Sequence, residues 1–399
     1  LLKWGSPQKG QNPMKNQVLN SQAQLTLSSI WHHFQSNLFP WFQEEFTQLT
    51  YKQQQLIEVL EMAQLENHLP YLGRVTGRPQ KGREAIARAF AAKAVYNMTT
   101  TGVLLDRLES DIALRRICGW EKKSDVPSRS TFSRAFAEFA ETNLGDRVHE
   151  MMVKRYLEDP LVGHISRDST SIPAREKPEA KKEVTDPVQP KKRGRPKTGE
   201  VRVKPQTRLE RQSGGMTLSE MKTELPKACN VGTKRNSKGY KTSWIGYKLH
   251  IDAADGGIPV SCLLSSASLH DSQVAIPLAE MTYLRVDSCY DLMDAAYDSP
   301  LIKKHSESLG HVPLIDENPR NKERKGEIKN ELKRRRYFNY KEARDIRYNE
   351  RSTVERVNGR LKDEFGARMV RVRGHAKVMT HLMFGIIALT ADQLMRYAE

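Results

Sequence analysis

Apolar residues recur at helical spacing from about residue 27 to residue 158. Phe132, Phe136 and Phe139, for example, fall on one side of a segment that follows a proline. This period predicts helices that each bury one face. The first 26 residues show no comparable period. We therefore expect a flexible N-terminal segment at 1–26 and an all-α region at 27–158.

The pattern changes to short strands and then to longer helices in residues 159–399. An Asp255-Gly256-Gly257 turn between two apolar runs is a hairpin signature. The expected strands are 163–172, 244–253, 258–265 and 290–294, and the expected helices are about 272–284, 341–365 and 375–397. This order predicts an α/β domain in which a mixed sheet is flanked by helices.

One stretch between the first strand and the hairpin has no periodicity. Residues 175–211 hold 13 Lys and Arg against 6 Asp and Glu, with several prolines. Such a segment cannot bury enough apolar area to fold, so we expect a basic, disordered insertion at 175–214. Within it, residues 191–197 resemble the AT-hook, whose Arg-Gly-Arg-Pro core lies in an A·T minor groove. Arg193 and Arg195 are then candidate DNA ligands; nonspecific phosphate contact or a solvated loop explains the segment equally well.

The charge balance favours a polyanionic partner. The chain of 399 residues carries a net charge of +17, and nucleic acid is the usual soluble partner of such a protein. No run of about 18 apolar residues and no basic amphipathic anchor is evident, so we expect no membrane association. The four cysteines lack metal-ligand spacing and are typical of a reduced, cytoplasmic protein.

The helix that contains Phe132 offers a second possible DNA contact. Arg129 and Arg134 lie near its start, where the recognition helix of a DNA-binding domain would touch the duplex. A helical bundle with surface arginines is the alternative.

A polar stripe marks the predicted helix at 341–365. Tyr348, Arg351, Glu355 and Lys362 stand at offsets 0, 3, 7 and 14, which fall within roughly 60° of one another on an α-helix. A carboxylate between cations is suited to a metal ion and a phosphate. The alternative is a solvated charged face.

Two further acidic residues complete a possible metal site. Asp168 lies in the first predicted strand, and Asp294 lies at the end of a later one. With Glu355 they offer the hard oxygen ligands that Mg²⁺ prefers. Two such ions can assist in-line attack at phosphorus. A structural cap is the alternative for either aspartate, and Asp298 competes with Asp294, which we prefer because it stands at the strand end.

These residues resemble a known family. Tyr348, Arg351, Glu355 and Lys362 match the Tyr-x2-Arg-x3-Glu-x6-Lys signature of bacterial insertion-sequence transposases of the DDE class. The sequences around Asp168 (Asp-Ser-Thr) and Asp294 (Asp-Ala-Ala-Tyr) are similar to the other two motifs of that family, which often has glycine where this chain has Ala296. The resemblance covers most of residues 70–399 and includes the N-terminal helical domain.

The resemblance implies a ribonuclease H-like catalytic core after an all-α DNA-binding domain. It implies a transposase that binds terminal inverted repeats, cleaves strands and transfers 3′-OH ends to target DNA. Asp168, Asp294 and Glu355 would be catalytic and bind two Mg²⁺ ions, with Mn²⁺ as a substitute. Tyr348 would contact double-stranded DNA, together with Arg351 and Lys362. A homodimer in a synaptic complex, at the bacterial nucleoid in the cytoplasm, is expected from the family.

Two alternatives of other classes remain. A domesticated or inactive transposase would keep the DNA surface without catalysis, and a nuclease of the same fold would lack the Tyr-Arg-Glu-Lys spacing. The 61 residues from Asp294 to Glu355 (355 minus 294) are too few for the β-rich insertion of some relatives. Trp244 is therefore expected in the core rather than at a flipped base. Basic residues 319–336 fit either a DNA-tracking helix or a charged surface helix.

Overall fold

The computed structural model describes residues 49–69, 82–157, 160–180, 205–235, 239–319 and 321–398. The proposed flexible segment 1–26 lies outside these residues. So do residues 191–197, with the candidate ligands Arg193 and Arg195.

The described residues of the N-terminal region are helical, as their apolar period predicts. Its α-helices are α1 (Tyr51–Ala63), α2 (Arg83–Val95), α3 (Thr101–Ser110), α4 (Ile112–Cys118), α5 (Arg129–Glu141) and α6 (Leu144–Leu157). Helix α1 begins at a capping box, in which the Thr50 hydroxyl accepts from Gln53 N and the Gln53 side chain accepts from Thr50 N. Phe132, Phe136 and Phe139 of α5 are buried, which confirms the predicted face.

The second half contains a mixed sheet. Its strands are β1 (Val162–Pro173), β2 (Asn230–Arg235), β3 (Lys241–Ala254), β4 (Ile258–Ser266), β5 (Ser288–Met293) and β6 (Val312–Ile315). The order is β2-β3-β1-β5-β6, and β4 also pairs with β3. Strands β1, β5 and β6 run parallel, whereas β3 is antiparallel to each of its partners. The predicted mixed sheet is thereby confirmed.

The predicted hairpin is present as β3 and β4. A short turn at Asp255–Gly257 joins the strands, and both of its glycines have positive φ, at 75° and 77°. Glycine reaches these angles without the penalty that a side chain would bring. The hairpin turn predicted at Asp255-Gly256-Gly257 is therefore confirmed.

Helices cover the sheet and continue to the C-terminus. They are α7 (Arg208–Ser213), α8 (Leu218–Glu224), α9 (Ala275–Tyr283), α10 (Pro300–Ser308), α11 (Lys322–Tyr337), α12 (Ala343–Tyr348), α13 (Ser352–Asp363) and α14 (His375–Ala398). Helix α7 lies within 175–214, where we expected no regular structure; Thr207 caps it through a box with Glu210. The helix predicted at 341–365 is divided by a 3₁₀ turn at Asn349–Arg351.

Helix α14 joins the N-terminal helices to the sheet. It packs on α1, α2 and α6 and also on β4. Phe384 of α14 lies 5.8 Å from the ring of Phe90 and 6.5 Å from that of Phe139. Buried residues of both halves form one continuous hydrophobic cluster through this helix. The expected boundary near residue 158 therefore does not separate two hydrophobic cores.

The apolar length of α14 differs from the expectation that no such run is present. Within the described residues, His375–Tyr397 is long and apolar enough to cross a membrane, but 83% of its most apolar window is buried inside the protein. Its composition is thus explained by its place at the centre of the core.

Candidate catalytic site

Asp168 and Asp294 lie side by side at the sheet. Strands β1 and β5 are parallel, and Arg167 pairs with Met293 in their register. The next residue after each of these two is an aspartate: Asp168 on β1, and Asp294 just past the end of β5. Neighbouring strands are about 4.8 Å apart, so the two carboxylates share one small region.

Both aspartates sit in surroundings that disfavour their charge. Burial raises the pKa of Asp168 to about 6, and the negative charge of Asp294 acts in the same direction. Burial also raises the pKa of Asp294, although the Ala296 N–H donates to its Oδ1 at 2.9 Å. Two half-buried carboxylates next to each other favour a cation between them.

The strand that carries Asp168 is fixed by a buried ion pair. Arg167 donates to both carboxylate oxygens of Asp252 on β3, at 2.7 and 2.6 Å, and both side chains are almost fully buried. Side chains alternate along a strand. Arg167 therefore holds one face of β1 while Asp168 is presented on the other.

The helix that carries Glu355 is attached to the same strands. The Ser166 hydroxyl donates to the Glu350 carbonyl oxygen at 2.9 Å. The Tyr348 hydroxyl donates to the Met293 carbonyl oxygen at 3.1 Å and lies 2.7 Å from Asp316 Oδ2. Tyr348 and Glu350, just before α13, are thus bonded to residues that closely precede Asp294 and Asp168. The Tyr348 hydroxyl, expected at DNA, has protein partners here.

Glu355 is bound by Arg351 rather than gathered with the aspartates. Arg351 Nη2 donates to Glu355 Oε1 at 2.6 Å, an i,i+4 pair on the predicted stripe. Burial opposes the charge of Arg351, yet its pKa is raised because the Tyr348 phenol, Glu355 and both aspartates lie within electrostatic reach. Arg351 is therefore the cation that the three carboxylates share.

The three predicted metal ligands are not gathered at one point. Within the described ranges, no group of three or more His, Cys, Asp or Glu side chains is close enough to hold a metal ion. Asp168 and Asp294 fit Mg²⁺ by their hard oxygens, their adjacency and their buried, mutually repelling charges. Glu355 fits once it leaves Arg351.

Two lysines contribute positive charge to the electrostatics of this region. Lys362 of α13 is half-buried, and burial, Arg368 and Lys234 lower its pKa. Lys234 of β2 also counteracts the raised pKa of Asp168 and of Asp294. The sequence analysis selected Lys362 but missed Lys234, because nothing in the local pattern predicts that β2 pairs with β3 in this sheet.

The remaining candidates have other partners or are exposed. Arg129 and Arg134 are exposed at the start of α5, and Arg134 Nε makes a 3.4 Å bond to the Ser130 carbonyl oxygen. Asp298, the rival of Asp294, forms a 2.6 Å ion pair with Lys303. Helix α11, which holds most of the basic residues at 319–336, buries none of its side chains.

The sequence also matches known families. Residues 163–391 match the family described as "Transposase DDE domain", and residues 43–138 match that described as "Transposase domain (DUF772)". The first match covers more than half of the chain. No curated protein and no solved structure gives a significant match.

Proposed function

Since the chain belongs to the family of transposases with a DDE domain, whose fold is ribonuclease H-like, we propose that it binds the terminal inverted repeats of an insertion sequence, cleaves the DNA and transfers 3′-OH ends to target DNA. The observation that carries this proposal is the adjacency of Asp168 and Asp294, together with the bond between Arg351 and Glu355 on the helix attached to the same strands. The exposed Arg129 and Arg134 on α5 are proposed contacts to the repeats.

We propose that Asp168, Asp294 and Glu355 hold two Mg²⁺ ions, with Mn²⁺ able to replace them. Bound there, the ions would activate a water or a 3′-hydroxyl and stabilise the leaving oxygen. Arg351 would turn from Glu355 to a DNA phosphate, with which a guanidinium forms bidentate hydrogen bonds. Lys362 would bind a neighbouring phosphate, and Tyr348 would position the start of α13 through its bond to β5.

The test uses DNA that carries the repeats flanking the reading frame. Wild type should nick this DNA in Mg²⁺ or Mn²⁺ and not in EDTA. Asp168→Asn and Glu355→Gln should reduce cleavage at least a thousandfold and retain end binding, because each removes only the charge of a ligand. Asp298→Asn is the matched control, since this acid lies four residues past Asp294 and is paired with Lys303. Equal activity of Glu355→Gln and wild type would refute the assignment.

A second function rests on a specific observation. The Arg351–Glu355 pair leaves Glu355 with a protein partner instead of a metal ion, an arrangement that a DNA-binding protein without catalysis could also keep. Binding of the ends without cleavage in either metal would establish that function.

Two ends must be cut together, so we propose a homodimer in the synaptic complex, at the nucleoid of a bacterial cytoplasm. The stoichiometry is measurable by light scattering of the protein with paired ends. One protein chain per two ends would contradict the proposal.

A further inference from the structure

Helix α11 lies on the surface of the protein, and none of its side chains is buried. Most helices of a folded protein gain their stability by packing an apolar face, and α11 (16 residues) packs no such face. It carries eight Lys and Arg against three Glu. The feature of α11 that needs an explanation is therefore its charge.

The charges of α11 are sorted by face. Five cations stand at offsets 0, 3, 7, 11 and 14 from the first, which fall within roughly 80° of one another on an α-helix. We call this set the cationic stripe; it consists of Lys322, Lys325, Lys329, Lys333 and Arg336. The three acids fall on the other side of the helix, at roughly 100–180° from the first cation; they are Glu323, Glu327 and Glu331.

The acids of α11 neutralise cations outside the stripe. Glu327 pairs with Arg324 at 3.1 Å, and Glu331 pairs with Arg335. Every side chain of the cationic stripe is exposed, and none of the described carboxylates forms an ion pair with any of them. Successive lysines of the stripe stand at i,i+4, where like charges destabilise a helix. Solubility alone does not explain this arrangement, since acids placed between the lysines would keep the helix soluble and stabilise it.

The cationic stripe borders a cavity of about 440 Å³ between α11 and the segment that follows β6. Glu317, the one carboxylate among the described lining residues, pairs with Arg324 at 3.3 Å. Ile328 and Leu332 also line the cavity, so the occupant that fits carries apolar surface as well as negative charge. The unpaired cations of the lining are Lys325, Lys329, Lys333 and Arg336.

Hydrogen bonds place the cavity beside the loop that follows Asp294. Asn318, which lines the cavity, donates its backbone N–H to Asp298 Oδ2 at 2.9 Å. Its side-chain amide donates to the carbonyl oxygen of Ala295, the residue after Asp294, at 3.4 Å. One wall of the cavity is thus bonded to the segment that carries a proposed catalytic aspartate.

The C-terminal end of α11 is joined to the same region. Arg335 pairs with Asp345 of α12 at 3.2 Å. Helix α12 ends at Tyr348, whose hydroxyl donates to the Met293 carbonyl oxygen at 3.1 Å. Contacts at both ends of α11 therefore fix the cationic stripe relative to the proposed catalytic site.

The phosphate backbone of DNA is the occupant that the charges favour. Residues 181–204 hold nine Lys and Arg against three Asp and Glu, so this segment is not a counter-charge for the stripe. A second copy of the chain also carries a net charge of +17. The stripe extends over about 21 Å at 1.5 Å per residue, which is the axial length of about six phosphates of one DNA strand. Deoxyribose supplies the apolar surface that the cavity accommodates.

We propose that the cationic stripe of α11, with the cavity beside it, binds the phosphate backbone of the DNA next to the position of cleavage. This inference rests on the proposed function, because its ligand is the DNA substrate. It assigns the basic residues at 319–336 to a DNA-tracking helix rather than to a charged surface helix.

Helix α11 supplies its own matched control. Arg334 is exposed, forms no ion pair with a described carboxylate and lies roughly 140° around the helix from Lys329. Lys329→Gln and Arg334→Gln each remove one charge from an exposed position of the same helix. Lys329→Arg keeps the charge at the tested position.

The experiment measures binding of the full chain to the repeat DNA against salt concentration. Loss of one phosphate contact should reduce the log–log salt slope by about 0.9. We expect this reduction for Lys329→Gln, a wild-type slope for Lys329→Arg and for Arg334→Gln, and a reduction of about 2.7 when Lys325, Lys329 and Lys333 are all replaced by Gln. Cleavage at saturating protein should stay near the wild-type rate, because the stripe holds none of the proposed metal ligands. Unchanged thermal unfolding would show that the variants are folded.

The failure of this inference is distinguishable from that of the proposed function. If wild type binds and cleaves the ends while Lys329→Gln and the triple variant keep the wild-type slope, the inference is overturned alone. An unchanged slope with loss of self-association, measured by light scattering, would show that a second copy covers the stripe and would also overturn it. If wild type binds without cleaving, the proposed catalysis is wrong and the salt slopes still decide the role of the stripe. If wild type does not bind the ends, both proposals are wrong.

Discussion

Removal of Asp252 should destabilise the protein far more than removal of a surface charge. Arg167 is 2% exposed and Asp252 is fully buried, and two short bonds join them. The Thr282 hydroxyl also donates to Asp252 at 2.7 Å. Asp252→Ala would leave a buried guanidinium without its counter-ion. Breaking a buried pair in this way costs about 3–5 kcal/mol, a large part of the roughly 5–15 kcal/mol that stabilises a typical domain.

The assay is equilibrium unfolding in urea, followed by circular dichroism. The control is Lys154→Met, which removes an exposed i,i+4 pair with Glu150 at 3.0 Å. Such a pair contributes about 0.3–0.5 kcal/mol. A double variant, Arg167→Met with Asp252→Leu, removes both charges and should recover most of the lost stability, because a buried pair replaced by apolar groups is often neutral.

Two outcomes would refute this reasoning. The first is a loss below about 1 kcal/mol for Asp252→Ala, since water must then reach Arg167. The second is a double variant no more stable than Asp252→Ala, because the damage would then come from lost shape rather than from an unpaired charge.

Two further predictions concern packing and pH. Gly385→Ala should cost about 1–3 kcal/mol, because a Cβ would lie 2.5 Å from the Phe365 carbonyl oxygen. Gly326→Ala, with open space around it in an exposed helix, should instead gain up to about 1 kcal/mol; thermal unfolding measures both, and an unaffected Gly385→Ala would contradict the close approach. His149 is buried against the Pro259 carbonyl oxygen, and burial lowers its pKa from 6.5 to about 3. The unfolded chain then binds a proton that the folded protein does not, so stability is lost as pH falls below 6.5, by about 2 kcal/mol at about pH 5. His149→Gln should lose that much less stability between about pH 7.5 and pH 5, and an equal loss would mean that His149 is protonated in the folded protein.

The sequence predicted best what depends on neighbouring residues. The period of Phe132, Phe136 and Phe139 identified a buried face, and the Gly256-Gly257 turn identified a hairpin, because each is decided within a few residues. The order of the strands in the sheet could not be predicted from neighbouring residues. Strands β1 and β5 pair across more than a hundred residues, and no local pattern specifies that partner.

The position of Lys234, which the sequence analysis missed, also depends on pairing between segments that are far apart in the chain. Lys234 lies on β2, and only the pairing of β2 with β3 joins that strand to the sheet that carries the aspartates, a partner that no local pattern specifies. The Arg351–Glu355 pair could have been predicted, since opposite charges at i,i+4 on a helix attract. The i,i+4 spacing that places Glu355 on the polar stripe also places it next to Arg351, which competes with a metal ion for the Glu355 carboxylate.

The strength of that competing pair decides how the site is interpreted. The Arg351 side chain is 23% exposed and the Glu355 side chain 53%. A pair this open to water contributes about 0.3–0.5 kcal/mol, whereas adjacent half-buried carboxylates such as Asp168 and Asp294 favour a cation much more strongly. A phosphate bound by Arg351 would therefore release Glu355 at little cost. The separation of Glu355 from the two aspartates is thus compatible with the proposed catalytic site, in which the three carboxylates would assemble when DNA takes Arg351 away from Glu355.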